Sequence, residues 1–231
     1  MTEIKPLYDK QCTCLLCNKA FTTKKLRTRF VRQVNMDTDF CPEYRDPQNN
    51  PALYHVHVCP YCGFSFTEES SPFFPPGTKD ELKDKVCSHW KPHDYSGERN
   101  VLQGVQTLKL GAYCAVLKKE KHVLIAGLYL RTAWLYRHNI QLEEERRFLH
   151  LAAQEYSRSY SEGDFIGSNV SEYRLLYLIG ELSHRLGQHE ESVRYFSKVI
   201  EKQRQSTEPN VIRMAKERWQ EIRNLKTNTP S

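Results

Sequence analysis

The residues best suited to chemistry are two cysteine pairs, Cys14-Leu15-Leu16-Cys17 and Cys59-Pro60-Tyr61-Cys62, separated by forty-one residues. Two residues between cysteines let a tight turn aim both sulfurs at one point, and two such turns supply the four thiolates of a closed tetrahedral Zn²⁺ site. Gly63 comes directly after the second pair and Asn18 after the first. These are the residue types that best tolerate the positive φ such a knuckle requires. Neither pair is followed by His, which excludes covalent haem attachment, and neither sits in a βαβ pattern, which argues against a redox-active turn. The expectation is a structural Zn²⁺ held by Cys14, Cys17, Cys59 and Cys62 in a zinc ribbon over residues 10–70.

Other possible ligands lie nearby. Cys12, Cys41, His55 and His57 are extra donors around the ribbon, and Cys12-Thr13-Cys14 allows a ligand swap with Cys14. Nothing pairs them by short spacing, so Cys12, Cys41 and His57 are candidates for a second metal or for support of the first, with free buried cysteines as the plain alternative. Cys87, His89 and His93 form a weaker cluster that lacks a fourth ligand. Four thiolates leave no open coordination position, and the chain has no HExxH, no G-x-S-x-G and no phosphate-cradling glycine loop. An enzyme therefore needs a mixed Cys/His site, for instance one that uses Cys41 or His57.

Around these residues the 231-residue chain has the composition of a globular protein, 39% hydrophobic and 27% charged. The apolar run Val123 to Leu130 is far short of a membrane span. The N-terminus has no apolar core of a secretory signal, so a reducing cytoplasm is the expected setting, in which eight cysteines mean metal and burial rather than disulfides. The net charge of +6 is concentrated: Lys10 to Met36 holds seven basic residues and no acidic one. Lys24, Lys25, Arg27, Arg29 and Arg32 are candidate nucleic-acid contacts, with an exposed Phe21 or Phe30 needed beside them for stacking. The alternative is a charged strand edge that blocks unwanted pairing.

The elements that must position the cysteines are set by periodicity. Residues 19–34 alternate as a strand, 35–53 are dense in turn formers, and Tyr54 to Cys59 alternates again. Residues 71–95 read as a wrapping connector with a short helix around Lys79 to Trp90, and Phe73, Phe74 and Trp90 are expected to pin the ribbon to the C-terminal helices. Residues 96–226 read as six amphipathic helices: Ser96 (N-cap) to about Lys119, then Val123–Asn139, Leu142–Tyr160, Val170–Leu186, His189–Arg204 and Val211–Leu225. A short tail covers 227–231. The hairpin Tyr173–Arg204 fits the 34-residue tetratricopeptide pattern, with Gly180 and Ser192 at small positions, Phe196 at a large one and Gly187 as a helix stop. The predicted fold is α+β and mostly α, a β zinc ribbon followed by a tetratricopeptide-like antiparallel array; a plain bundle is the alternative.

Several strings carry a family resemblance: Thr38-Asp39-Phe40-Cys41, Tyr54-x-Val56-x-Val58-Cys59-Pro60-x-Cys62-Gly63, Ser71-Pro72-Phe73-Phe74, Ser96-Gly97-Glu98-Arg99, Ala133-Trp134-Leu135-Tyr136-Arg137 and Tyr177-Leu178-Ile179-Gly180-Glu181-Leu182. Over nearly the whole chain they resemble the bacterial domain-of-unknown-function family 2225. The resemblance implies a cytoplasmic zinc-ribbon and tetratricopeptide fusion, brings no assigned activity, and places Cys41, though not His57, inside a recurring string.

The leading expectation is a non-enzymatic scaffold that binds a protein or peptide through its helical surface. Tyr129, Arg131, Arg137, Tyr173 and Tyr177 are the candidate contacts; the same tyrosines would otherwise pack as core. Arg131 and Arg137, if buried, need acidic partners among Glu143, Glu144, Glu145 or Glu181. Partner identity and oligomeric state are not encoded in any motif.

Overall fold

The computed structural model describes residues 4–205 and 207–227, so the expected tail falls outside the described residues from position 228 onward. Three antiparallel hairpins come first. Strand β1 (Leu7–Thr13) pairs with β2 (Ala20–Leu26), β3 (Gln33–Met36) with β4 (Pro42–Tyr44), and β5 (His57–Val58) with β6 (Ser65–Phe66). Seven α-helices come after them among the described residues: α1 (Thr78–Lys85), α2 (Val101–Lys118), α3 (His122–His138), α4 (Leu142–Glu162), α5 (Glu172–Arg185), α6 (His189–Glu201) and α7 (Pro209–Thr227).

The expected strand over 19–34 stops at Leu26, and the reason lies in its partner. The Arg27 N–H donates to the carbonyl of Pro6 at 2.9 Å. Pro6 has no N–H to continue the ladder, and the chain turns through a 3-10 segment at Thr28–Phe30. The turn-rich stretch 35–53 holds β4 and two 3-10 turns besides its loops, with Asp46 accepting from the N–H of Gln48 at 3.1 Å and Asn50 from that of Ala52 at 2.9 Å. The expected strand from Tyr54 shrinks to His57–Val58 because Pro51–Tyr54 is already a 3-10 turn.

Helix α2 starts four residues later than Ser96 allows. Asn100 accepts from the N–H of Gln103 at 2.9 Å while the Gln103 side chain accepts from the Asn100 N–H at 3.1 Å, a reciprocal cap that outcompetes a lone serine. Each helix from α2 to α7 packs on the next, and α7 also touches α5. At the α5–α6 crossing a Cβ on Gly180 would lie 2.9 Å from the Phe196 ring, so the small and large positions read from the sequence do meet.

The hairpins and helices share their cores. Leu26, Leu53, Tyr54, Val56 and Val58 belong to the same buried cluster as the apolar faces of α2 to α7. A second cluster joins Cys14, Cys59, Phe21, Phe64 and Phe66 to Leu82 of α1 and Leu117 of α2. Buried Arg99 bridges the two halves, donating to the carbonyls of Leu53 at 3.0 Å and Val56 at 2.9 Å. Of the connector aromatics, Trp90 donates to the Pro60 carbonyl at 3.0 Å and Phe74 packs on the Phe64 ring, but Phe73 is 68% exposed and pins nothing.

Candidate metal centre

Each cysteine pair sits in the turn of a hairpin, the first between β1 and β2, the second between β5 and β6. The two turns are built alike. The N–H of Asn18 donates to the Cys14 carbonyl at 3.0 Å and that of Gly63 to the Cys59 carbonyl at 2.9 Å, with φ of +59° and +73° at the two closing residues. Further bonds from the Cys14 N–H to the Lys19 carbonyl and from the Cys59 N–H to the Phe64 carbonyl, both 3.0 Å, lock the sulfurs inward.

The four sulfurs of Cys14, Cys17, Cys59 and Cys62 all lie within 4.8 Å of one another, and none is in a disulfide. Cys14 to Cys62 and Cys17 to Cys59 are each 3.7 Å. A cation with bonds of about 2.3 Å to a sulfur tetrahedron sets edges of roughly 3.8 Å, so the cluster can hold a metal without moving. The thiols also act on one another's protons. Hydrogen bonds from Cys14 and Cys62 pull the Cys59 thiol far down, while bonding within the cluster pushes Cys14 and Cys62 up. Four thiolates this close cannot all ionise unless a cation neutralises them.

The remaining candidate ligands are not brought to this cluster. Cys12 faces Phe21 across the β1–β2 ladder, half-buried. Cys41 sits at the tip of the β3–β4 hairpin, its sulfur 3.6 Å from the Nε2 of His138. His57 is 3% exposed with both ring nitrogens lacking a hydrogen bond, and its nearest acid, Glu68, is 3.8 Å away. Burial lowers its pKa to about 4. Cys87 is the exception, its thiol hydrogen-bonded to Cys62 at the edge of the cluster, whereas His89 bonds Ser88 and the Asp84 carbonyl and His93 packs on Tyr95. Among the described residues only the four paired cysteines form a ligand cluster.

On the basic strand, Lys24 pairs with Asp9 at 2.6 Å and Lys25 with Glu68 at 2.6 Å, while Phe21 is buried edge-on against Phe66. Arg27 lies over the Tyr8 ring and Arg29 over that of half-buried Phe30; Arg32 is exposed.

The candidate partner residues have different fates. Tyr129 and Tyr173 are half-buried against the core. Tyr177 is fully buried and donates to the Thr38 carbonyl at 2.8 Å. Arg137 finds Glu145 at 2.7 Å as one acidic partner, and also Asp37 at 2.8 Å and Asp39 at 2.6 Å. Glu181 pairs instead with Arg185 at 2.9 Å and Arg218 at 2.8 Å. Arg131 has no carboxylate within ion-pair distance among the described residues, only the Gly127 carbonyl at 2.9 Å.

Sequence reasoning missed the role of Asp37, Thr38 and Asp39. The β3–β4 tip carries them into the helices, where Phe40, at φ +64°, packs against Tyr177 with ring centres 5.3 Å apart. Arg185 reaches Asp37 and the Thr38 hydroxyl, both at 2.8 Å, and Thr38 donates to Glu181 at 2.6 Å. The signal was present: the strings around Thr38, Trp134 and Tyr177 that carry the family resemblance meet at this junction.

Fold and cluster define the class: a mostly helical chain whose N-terminal hairpins bear four cysteines able to hold a metal. The chain belongs to the family described as uncharacterized protein conserved in bacteria (DUF2225), whose model matches residues 7–222. No curated protein and no solved structure matches it. No helix among the described residues is long and apolar enough to cross a membrane.

Proposed function

We propose that this chain is a non-enzymatic binding scaffold of the bacterial cytoplasm, in which a structural zinc ribbon braces a tetratricopeptide-like helical array that receives a protein or peptide. Zinc is the reading for the metal because four thiolates at tetrahedral spacing suit a soft, four-coordinate d¹⁰ ion and close its sphere. The single observation that carries the binding role is a recess of about 650 Å³ between α3 and α5, beside the inserted Phe40. Alternate helices of a stacked array turn one face to a common groove, and such grooves hold extended segments. The β3–β4 tip already fills the end of that groove with Phe40, which leaves Arg131 as the one candidate contact in the wall of the recess, while Tyr129 and Tyr173 pack against the core.

The nucleic-acid reading has weaker support. Lys24 and Lys25 are neutralised and the stacking residue Phe21 is buried. The test is selection of a random peptide library on the metal-loaded full chain, followed by crosslink mapping. Enriched peptides that crosslink to α3 and α5 support the scaffold. Failure to enrich any sequence, together with salt-sensitive RNA or DNA binding at β2, overturns it.

A further inference from the structure

The recess beside α3 has an unusual charge balance. Arg131 is half-buried in its wall and uses one of its five N–H donors, on the Gly127 carbonyl. Three of the other charged residues on the wall have ion-pair partners. Glu68 pairs with Lys10 and Lys25, Glu120 with Lys118, and Arg174 with Glu208 at 2.7 Å. The Lys121 ammonium sits on the Ile166 carbonyl at 3.0 Å, and Glu69 is exposed, its charge felt at the Tyr156 hydroxyl along with that of Arg131.

A second polar group converges with Arg131. A Cβ on Gly127 would lie 3.0 Å from the Arg131 Nη1 and 4.0 Å from the Tyr156 hydroxyl, so both polar tips hang over the same bare helix position. Among the described residues the Tyr156 hydroxyl has no hydrogen-bond partner. The wall also holds the apolar side chains of Val123, Leu130, Trp134 and Leu178 beside its polar ones. A half-buried cation without a counter-ion is costly, whereas a guanidinium and a phenol side by side match the two oxygens of one carboxylate. One guanidinium without a carboxylate within ion-pair distance favours a monoanion over a phosphate dianion, which would need several charged donors converging on it.

We propose that this cavity binds a carboxylate attached to an apolar body, with Arg131 as its counter-ion and Tyr156 as a second donor. The inference rests on the reading of this helical face as a binding surface and names the chemistry it receives. Such a carboxylate has two sources, a small organic acid or the C-terminus of a peptide.

The experiment is calorimetric titration of the metal-loaded full chain with 4-phenylbutyrate, with 4-phenylbutyramide, and with a hexapeptide ending in leucine as free acid or as amide. The acid is expected to bind at least about tenfold more tightly than its amide. Arg131→Met should lose that preference, and Tyr156→Phe should weaken the acid about threefold. A free-acid peptide that displaces phenylbutyrate assigns the source to a chain terminus; displacement by neither peptide assigns it to a small acid. Equal affinity for acid and amide, undiminished binding by Arg131→Met, or no binding of either acid at millimolar concentration overturns the proposal. The acid and amide comparison needs only the unmodified chain, so a variant that misfolds does not blunt the test. Library peptides that bind α3 and α5 regardless of Arg131 would leave the scaffold standing and this inference refuted. Phenylbutyrate bound by a chain that selects no peptide would do the reverse.

Discussion

Asp39 and Arg137, ninety-eight residues apart, form a two-pronged ion pair in which Nη1 meets Oδ1 at 3.0 Å and Nη2 meets Oδ2 at 2.6 Å, and the carboxylate is wholly buried. The indole of Trp134 and the N–H of Cys41 donate to the same carboxylate at 3.1 and 3.2 Å. Parallel N–H···O⁻ bonds fix geometry as well as energy. The pair thus sets how deeply the β3–β4 tip enters the helices.

Breaking this pair from one side strands a charge. Asp39→Asn is expected to cost about 3 kcal/mol, near the lower end for a buried pair, since Asp37 and Glu145 still neutralise Arg137. Replacing both members, Asp39→Leu with Arg137→Met, should recover part of the loss because no uncompensated charge remains. Urea denaturation of these variants checks this; a double variant less stable than Asp39→Asn contradicts it.

Metal removal acts on the other end. A ligand that binds only the folded chain at a thousandfold over its dissociation constant contributes about 4 kcal/mol, which at 2–4 °C per kcal/mol lowers the melting temperature by about 10 °C when a chelator strips it. Thiol titration gives an independent count. In the metal-loaded protein Cys14, Cys17, Cys59 and Cys62 should be protected, and half-buried Cys12 and Cys87 should react before buried Cys41 and Cys114. Chelation should expose the four protected thiols together. A chelator that changes neither the melting curve nor the count rules out a bound metal.

The contrast between these two features explains what the sequence disclosed. Chelation by Cys-x-x-Cys is local, so spacing alone placed Cys14, Cys17, Cys59 and Cys62 in one cluster. Amphipathic period is local too, and helices such as His189–Glu201 begin where periodicity placed them. The clamp is not local. Asp37, Thr38 and Asp39 lie in a stretch whose prolines and asparagines correctly signalled turns, but nothing nearby says that its polar tip is buried by Arg137 and Arg185. Strand β1 escaped for a different reason: Asp9, Lys10 and Gln11 give it the polarity of a tail, and it becomes a strand only because β2 lies alongside.

Gly63 offers a local test of how the head is braced. Its φ of +73° is strained for any L side chain, and an added Cβ would lie 2.5 Å from the Trp90 ring. Gly63→Ala should therefore destabilise the fold by about 1–3 kcal/mol and weaken metal retention, because the knuckle must distort. Gly77→Ala is the control: its φ is +79° but nothing lies within 4 Å of an added Cβ, so it feels backbone strain alone. Equal losses in melting temperature would show that the Trp90 contact is unimportant.

The last prediction concerns His55, which lines the wall of the recess. Burial first, and then the positive charges of Arg131 and His57, lower its pKa from 6.5 to about 3, against a smaller opposing pull from Glu68. Above pH 6.5 the imidazole is neutral in folded and unfolded chains alike and costs nothing. Below it the unfolded chain takes up a proton that the folded chain refuses, so the His55 contribution to stability falls between pH 6.5 and about 3, with a slope of at most about 1.4 kcal/mol per pH unit for this group, and His57 adds its own loss down to about pH 4. His55→Leu should flatten that slope, and the His55 ring protons should still report a neutral imidazole at pH 5 in the native protein. Arg131→Met removes a repelling charge and should move the titration upward. A carboxylate seated on Arg131 should do the same, which makes His55 an internal reporter of the cavity's occupant, read by proton resonance rather than by affinity.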